Sequence, residues 1–455
     1  MAHTSSKVQR SVAAVGLAAA ALIAACGGGD DAPAEVTVAS VVKTNADMAH
    51  AVYSDSASTA RALKTAVDAF VASPTAGTFA AAKAAWVAAR EPYGQSEVYR
   101  FRLGPIDSAN GVDENGPEGR INAWPLGEAL IDYVAPAVDG DAGPEATAPT
   151  VAPNIIADTV NVPAINIAAL LAVNESGGDE RNIATGYHAV EFLLWGQDLN
   201  AGTTTFDGAT QRDATPGQRP FSDYLVSAAC TSGTGNLQPQ AICQRRGQYL
   251  QAAVDLLIQD LDLLVAAWSP TTAGNHYASF TAGGNTSLAK IMESMGRLGF
   301  GELAGERLNI ALTQDSQEDE HSCFSDNTHR DIVLNAQGIS NTYLGSYKRV
   351  DGSTVSGNGI DAYLRYKSQA PLADQLKAAL ATTTTATGAI DTKAKAGNPF
   401  DRQVQQGGIN DPTIKAAIAA LVAQTNKIGE SIKALGLTTG DLCQDTAEAI
   451  GVCTP

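Results

Sequence analysis

The segment "GYHAVEFLLWG" at 186–196 carries two ionisable side chains, His188 and Glu191, and is otherwise apolar or glycine. On a helix, residues three apart share a face. Ala184, His188, Glu191 and Trp195 then form one stripe, with Tyr187, Val190 and Leu194 beside it. An ionised carboxylate is costly to bury unless it is paired or bound to a metal. An imidazole and a carboxylate at this spacing can both turn toward one ion, as the Glu-x-x-His pairs of helical metal sites do. They can equally satisfy each other by a hydrogen bond within a core. Spacing alone leaves both readings open.

A second cluster, "DSQEDEHSCFSDNTHRD" at 315–331, holds Asp315, Glu318, Asp319, Glu320, Asp326 and Asp331 with His321 and His329. A solvated acidic loop, followed by a helix cap at Asn327 or Thr328, accounts for Glu318 to Glu320. It accounts less well for His321, His329 and Asp331, because the chain has six histidines in all. A third stretch, "AREPYGQSEVYRFRLGPID" at 89–107, sets Glu97 and Arg100 three apart, with Tyr93 four residues before Glu97. Those two charges read as a structural ion pair or as part of a site. "INAWPL" follows, with Trp124 and Pro125 at what reads as a helix entrance.

The elements that must position these groups read as helices. The chain has 455 residues, 44% of them hydrophobic and only 6% aromatic. Alanine dominates the apolar set, and strand signals are weak, which favours packed helices. In "QYLQAAVDLLIQDLDLLVAAW", Leu250, Val254, Leu257, Leu261, Leu264 and Trp268 make one continuous apolar stripe, and Pro270 follows its end. Shorter amphipathic segments lie near 57–72, 79–99, 303–312, 328–347 and 412–435. The stretches 134–154 and 200–220 are rich in Gly, Pro or polar residues and read as loops; "ATTTTATG" at 381–388 reads as a helix end and a turn. The expectation is an all-α protein of two helical-bundle domains, 39–210 and 211–455. The formal net charge of −18 argues against nucleic-acid or anionic-lipid partners.

At the N-terminus, Lys7 and Arg10 precede the apolar run "SVAAVGLAAAALIAA", which has the length of a signal-peptide core and is short for a stable membrane span. It ends in "IAAC", small residues before Cys26, similar to a bacterial lipoprotein box. Residues 1–25 are therefore expected to be a lipoprotein signal, Cys26 the acylated residue and 26–38 a flexible tether. Cleavage before Cys26 removes two positive charges and no acidic residue, giving −18 − 2 = −20. The expected location is the cell envelope, lipid-anchored and facing the periplasm. Export permits disulfides, and Cys230 with Cys243, and Cys443 with Cys453, would each close a short loop. Cys323 is then left over, and it could compete for a partner.

These blocks together resemble one family. "GYHAVEFLLWGQDL" is similar to the Gly-x-His-x-x-Glu motif of the imelysin family, through Gly186, His188 and Glu191. "PYGQSEVYRFRLGPID", "INAWPL" and "SCFSDNTHRDIVLNAQGISNTYLG" look like its iron-regulated protein A branch, and the resemblance runs over about 40–440. It implies two α-helical domains, an envelope location, a role in iron acquisition, and a site near the domain interface. It also implies iron or another transition metal as the ligand, held by His188 and Glu191 with Glu97 as a third candidate. Tyr93, Arg100, Trp195, His329 and Asp331 are the expected supporting residues. A metallopeptidase with its remaining ligands from distant segments, or a small organic or peptide ligand at the same place, is the alternative, and a protein partner in an uptake system is compatible with any of these. The family is named for a metallopeptidase activity. Here, however, the His-Glu-x-x-His pair is absent, and Phe192 stands where the inverted motif needs a second histidine.

Overall fold

The computed structural model describes residues 35–134, 154–178, 182–199, 212–230, 239–315, 317 and 319–443. The expected signal segment, Cys26, most of the tether, Glu318, Cys453 and the loop cores 135–153 and 200–211 lie outside the described residues. In chain order the helices are α1 (Val38–Ala72), α2 (Ala76–Ser96), α3 (Glu118–Ile121), α4 (Glu128–Ile131), α5 (Ile167–Val173) and α6 (Gly186–Trp195). Then come α7 (Pro239–Ala267), α8 (His276–Ala282), α9 (Asn285–Arg297), α10 (Ala311–Gln314) and α11 (Thr328–Leu344). The last are α12 (Ile360–Tyr366), α13 (Ala370–Lys395), α14 (Phe400–Gly407) and α15 (Pro412–Ala434).

Local sequence fixes where the long helices begin. Thr37 and Ser40 form a reciprocal capping box at the start of α1, and Thr75 and Thr78 form another at α2. Asp411 accepts from the amides of Thr413 and Ile414, with Pro412 in the first turn of α15. The apolar stripe foreseen in α7 is buried from Leu250 to Leu264, and Trp268 closes it. The expected break at 381–388 is not there: α13 runs through it. The hydroxyls of Thr382, Thr384, Thr385 and Thr387 donate to the carbonyls four residues back, and Thr383 and Thr387 are buried. The threonines therefore hydrogen-bond along the helix instead of ending it.

Residues Leu298–Ile310 continue α9 as a π-helix. Its wider turn sets residues five apart over one another, and Glu302 and Arg307 form an ion pair of 2.8 Å there. Among the described residues the only sheet is the antiparallel pair β1 (Ser346–Lys348) and β2 (Thr354–Ser356), with Tyr347 opposite Val355.

α1 packs on α2 and α7, α6 packs on α7 and α2, and α11 packs on both α2 and α13, which in turn lies on α15. Residues 36–455 form one compact unit, and the expected boundary at 210–211 falls inside it. The principal core draws residues from both sides of that boundary, from Val41 to Leu442. A smaller core joins the π-helix, α14 and α15 through Leu308, Phe400 and Leu421. Cys230 and Cys243 form the expected disulfide, with 6.2 Å between their Cα atoms. Cys443 is also disulfide-bonded, and Cys323 is a buried thiol.

Candidate functional site

α6 is the element that presents the motif, and all ten of its residues are buried. Gly186 opens it with φ of 82°, and a Cβ there would stand 2.4 Å from the carbonyl oxygen of Ile121. Only glycine accepts both the left-handed backbone and that approach. Neighbouring aromatic groups hold the backbone around the motif. Trp86 Nε1 donates to the carbonyl of Tyr187 (2.9 Å), Tyr249 Oη to that of Ala184 (2.6 Å), and Tyr224 Oη to that of Leu193 (2.5 Å).

His188 and Glu191 meet as their spacing foretold, with Nδ1 3.0 Å from Oε2 and both side chains fully buried. The other carboxyl oxygen, Oε1, accepts from the backbone N–H (3.0 Å) and the hydroxyl (2.6 Å) of Ser325. Burial pushes the Glu191 carboxyl up to about 8. Burial also holds the His188 imidazole well below its usual value, and the positive ends of His321 and Arg90 add to this. At neutral pH the pair is therefore uncharged as a whole. The outer nitrogen, His188 Nε2, is buried and has no hydrogen-bond partner among the described residues.

A second histidine–carboxylate pair lies alongside. His321 Nδ1 is 3.0 Å from Asp331 Oδ2, which also accepts from the Ser322 hydroxyl at 2.5 Å. Arg90, fully buried, donates to Asp331 Oδ1 at 2.8 Å. Burial would raise the Asp331 carboxyl, but Arg90 and His321 outweigh it and keep it well below the ordinary range. Asp331 is thus a carboxylate, and His321 Nδ1 carries the proton it donates. Arg90 also donates to Asn122 Oδ1, which turns Asn122 Nδ2 toward His321 Nε2 at 3.3 Å. His321 Nε2 is therefore an acceptor. The two imidazoles stand edge to face, 4.6 Å between centroids and 80° between planes. Trp124 stacks edge-on against His188 at 5.0 Å. A cleft of about 310 Å³, lined by His321, Asn122, Trp124, Arg100, Glu302 and Arg307, adjoins the pair.

The expected residues are distributed unevenly about this centre. His188, Glu191 and Asp331 belong to it. Glu97, expected as a third ligand, is held by arginines: Arg307 at 2.6 Å and Arg100 at 3.2 Å. Burial would raise its carboxyl, but the two guanidinium groups bring it down to about 2. No hydrogen bond among the described residues joins it to His188 or Glu191. Arg100 bridges Glu97, Glu118 and Glu302. Tyr93 stacks on Tyr187 at 4.9 Å, and its hydroxyl orients no carboxylate among the described residues. Trp195 lies against Trp86 at 5.3 Å. His329 donates through Nδ1 to the Asp326 carbonyl (2.9 Å), and its other nitrogen lies 3.7 Å from Asp391. Sequence reasoning singled out His321 without joining it to His188, and it missed Arg90, Asn122 and Ser325. Each of these arrives from a distant segment, and none has a spacing that announces it.

The donor set fits a metal only in part. Among the described residues, no three His, Cys, Asp or Glu side chains converge on one point. Both Glu191 oxygens are already engaged in hydrogen bonds, so Glu191 orients His188 and does not itself offer a bare ligand atom. The two imidazoles fit better. Each has Nδ1 tied to a carboxyl group, as metal-ligating histidines usually do, and His188 Nε2 has no partner among the described residues.

The sequence matches the imelysin family over residues 49–428. No curated protein matches it. Among solved structures, it is similar to a candidate iron-regulated protein A precursor from Parabacteroides distasonis. That match has a TM-score of 0.59 at 19% identity and covers 88% of this chain and 96% of the other. It is also similar to an imelysin-like protein from Psychrobacter arcticum, with a TM-score of 0.54 at 13% identity, over 90% of this chain and 99% of the other. At these identities the likeness concerns the fold.

Proposed function

This chain belongs to the imelysin family, and from that premise we propose that it binds a transition-metal ion, iron first among them, as an envelope protein of metal acquisition. The ligand atom is His188 Nε2, and His321 Nε2 joins it by giving up the hydrogen bond it accepts from Asn122 Nδ2. Asp331 holds His321 in the tautomer that leaves Nε2 without a hydrogen, Glu191 does the same for His188 once it is ionised, and Arg90 and Ser325 fix the two carboxyl groups. The observation that carries the reading is the buried His188 Nε2 without a partner among the described residues. Leaving a buried polar atom unpaired costs about 1–3 kcal/mol, and an ion at that nitrogen removes the cost. Iron is favoured because imidazole ligands suit it and because one similar structure carries the name of an iron-regulated protein. Acylation at Cys26 would hold the protein at a membrane. No helix among the described residues is long and apolar enough to cross one.

Calorimetric titration with Fe(II), Zn(II) and Cu(II), in buffer free of chelators, tests the metal. Saturable binding that is lost in His188→Ala, with helical circular dichroism unchanged, is the expected result. No saturable binding by the wild type would overturn the proposal. It would promote the second reading, a small organic ligand hydrogen-bonded to the same groups, which the cleft of about 310 Å³ beside His321 favours. Cys26→Ser should release the protein from the membrane fraction; retention there would refute the anchor.

A further inference from the structure

Away from the histidines, a cleft of about 450 Å³ opens between the first turns of α2 and the 215–221 segment. Its volume lies in the usual range for small-ligand sites. Its walls are largely apolar, with Phe79, Ala80, Pro216, Pro220 and Phe221 among them. Lys83, half-buried, projects from α2 into this lining, with Nζ 4.6 Å from the Phe79 ring and 5.1 Å from the Trp195 ring. Four other lysines of the chain are closely paired. Lys43, Lys64, Lys395 and Lys427 each reach a carboxylate at 2.5–2.8 Å. Lys83 has no ion pair and no hydrogen bond among the described residues. The one charge acting on it is of its own sign, that of Arg219.

The other polar groups of the cleft are engaged. Arg219 pairs with Asp132 at 2.7 Å and with Asp223 at 3.4 Å. Gln218 donates to the Leu199 carbonyl at 3.2 Å, and the Thr215 hydroxyl donates to Asp213. One ammonium, resting on the Phe79 and Trp195 rings and without an anionic partner among the described residues, is left in the cleft. We propose that this cleft binds a small monoanion with an apolar body, an aliphatic carboxylate, whose carboxylate pairs with Lys83 and whose chain packs on Phe79 and Phe221. A single cation selects a single negative charge, and the apolar walls select what must be attached to it. Burial, with the like charge of Arg219 added, lowers the Lys83 amine to about 8, and an arriving carboxylate would raise it again. Binding near that pH should therefore take up protons from the buffer.

The experiment is calorimetric titration of the full-length protein with sodium octanoate, and with octanol as the uncharged counterpart. Octanoate is expected to bind saturably, with proton uptake near pH 8. Lys83→Met, which keeps the aliphatic stem, should weaken octanoate binding by about tenfold or more, the scale of a hydrogen bond to a charged group. Lys83→Arg should retain it, and octanol should not distinguish wild type from Lys83→Met. If Lys83→Met does not fold, the comparison of octanoate with octanol on wild type and on Lys83→Arg decides. Failure of octanoate to saturate the wild type, octanol binding as tightly as octanoate, or octanoate binding unchanged in Lys83→Met would each overturn the proposal.

Discussion

At the scale of single residues, the site depends on where one proton sits. With Glu191 held up at about 8 by burial, its carboxyl group shares a proton with His188 Nδ1 at neutral pH. When Glu191 donates that proton to Nδ1, the neutral ring carries its own hydrogen on Nε2 and cannot ligate there. Metal at Nε2 requires Nδ1–H facing an ionised Glu191, so binding releases one proton. Metal affinity should thus rise as pH climbs toward 8 and level off above it, and Glu191→Gln should flatten that dependence. Affinity measured across pH by competition with a chelator checks this; a wild-type profile that levels off already near pH 6.5 would refute it. Glu97 works differently. Two guanidinium groups bring its carboxyl to about 2, below the ordinary 4.5. Its stabilisation is therefore complete above 4.5 and is lost as pH falls through the folded value. Glu97→Gln leaves Arg307 and Arg100 without their shared carboxylate and should cost about 3–5 kcal/mol at neutral pH, the range for breaking a buried pair. Urea unfolding at pH 7 measures it, and metal affinity should hardly change.

At the scale of elements, α6 works because of what stands at its first residue. Gly186→Ala places a methyl group against the Ile121 carbonyl and strains a φ of 82°. A strained backbone of this kind costs about 1–3 kcal/mol, and any relief must come from moving α6 away from the 120–122 segment. That movement separates His188 from Asn122 and His321. The variant should melt at lower temperature and also bind metal less well, whereas Ala189→Gly should only destabilise. Differential scanning calorimetry with and without metal separates the two effects. Part of this element was legible in the sequence: the one-face pair on a helix follows from residue type and spacing, whereas Gly186 was marked only by the family motif. The stripe of α7 was equally plain, because a period of 3.6 needs no knowledge of the partner. The pair His321–Asp331 was not legible, since ten residues and a helix start separate its members. The arginine pairing of Glu97 was hidden for a related reason. Its guanidinium partner Arg307 lies 210 residues away, on a stretch whose π geometry no apolar pattern reveals. The threonine run of α13 misled because Thr is a poor helix former in isolation, whereas here its hydroxyls bond along the helix.

At the scale of the whole molecule, residues 36–455 share one principal core. α6 packs on α7 across the expected boundary at 210–211. The two halves 39–210 and 211–455, expressed apart, should each lack a cooperative unfolding transition and should recover one when mixed. Independent cooperative folding of either half would show that the boundary divides true domains. The same packing explains why the site could not be assembled on paper. α2, α6, the Asn122 segment and the 321–331 stretch meet only in the folded chain, and each contributes one or two ordinary residues. It also has a temporal consequence. His188 is fully enclosed, so an ion reaches Nε2 only during brief openings of the structure around it. The rate of uptake in a stopped-flow trace should then cease to rise with metal concentration. Its plateau should be the same for Fe(II) and Zn(II), because it counts how often the protein opens and not how fast the ion arrives.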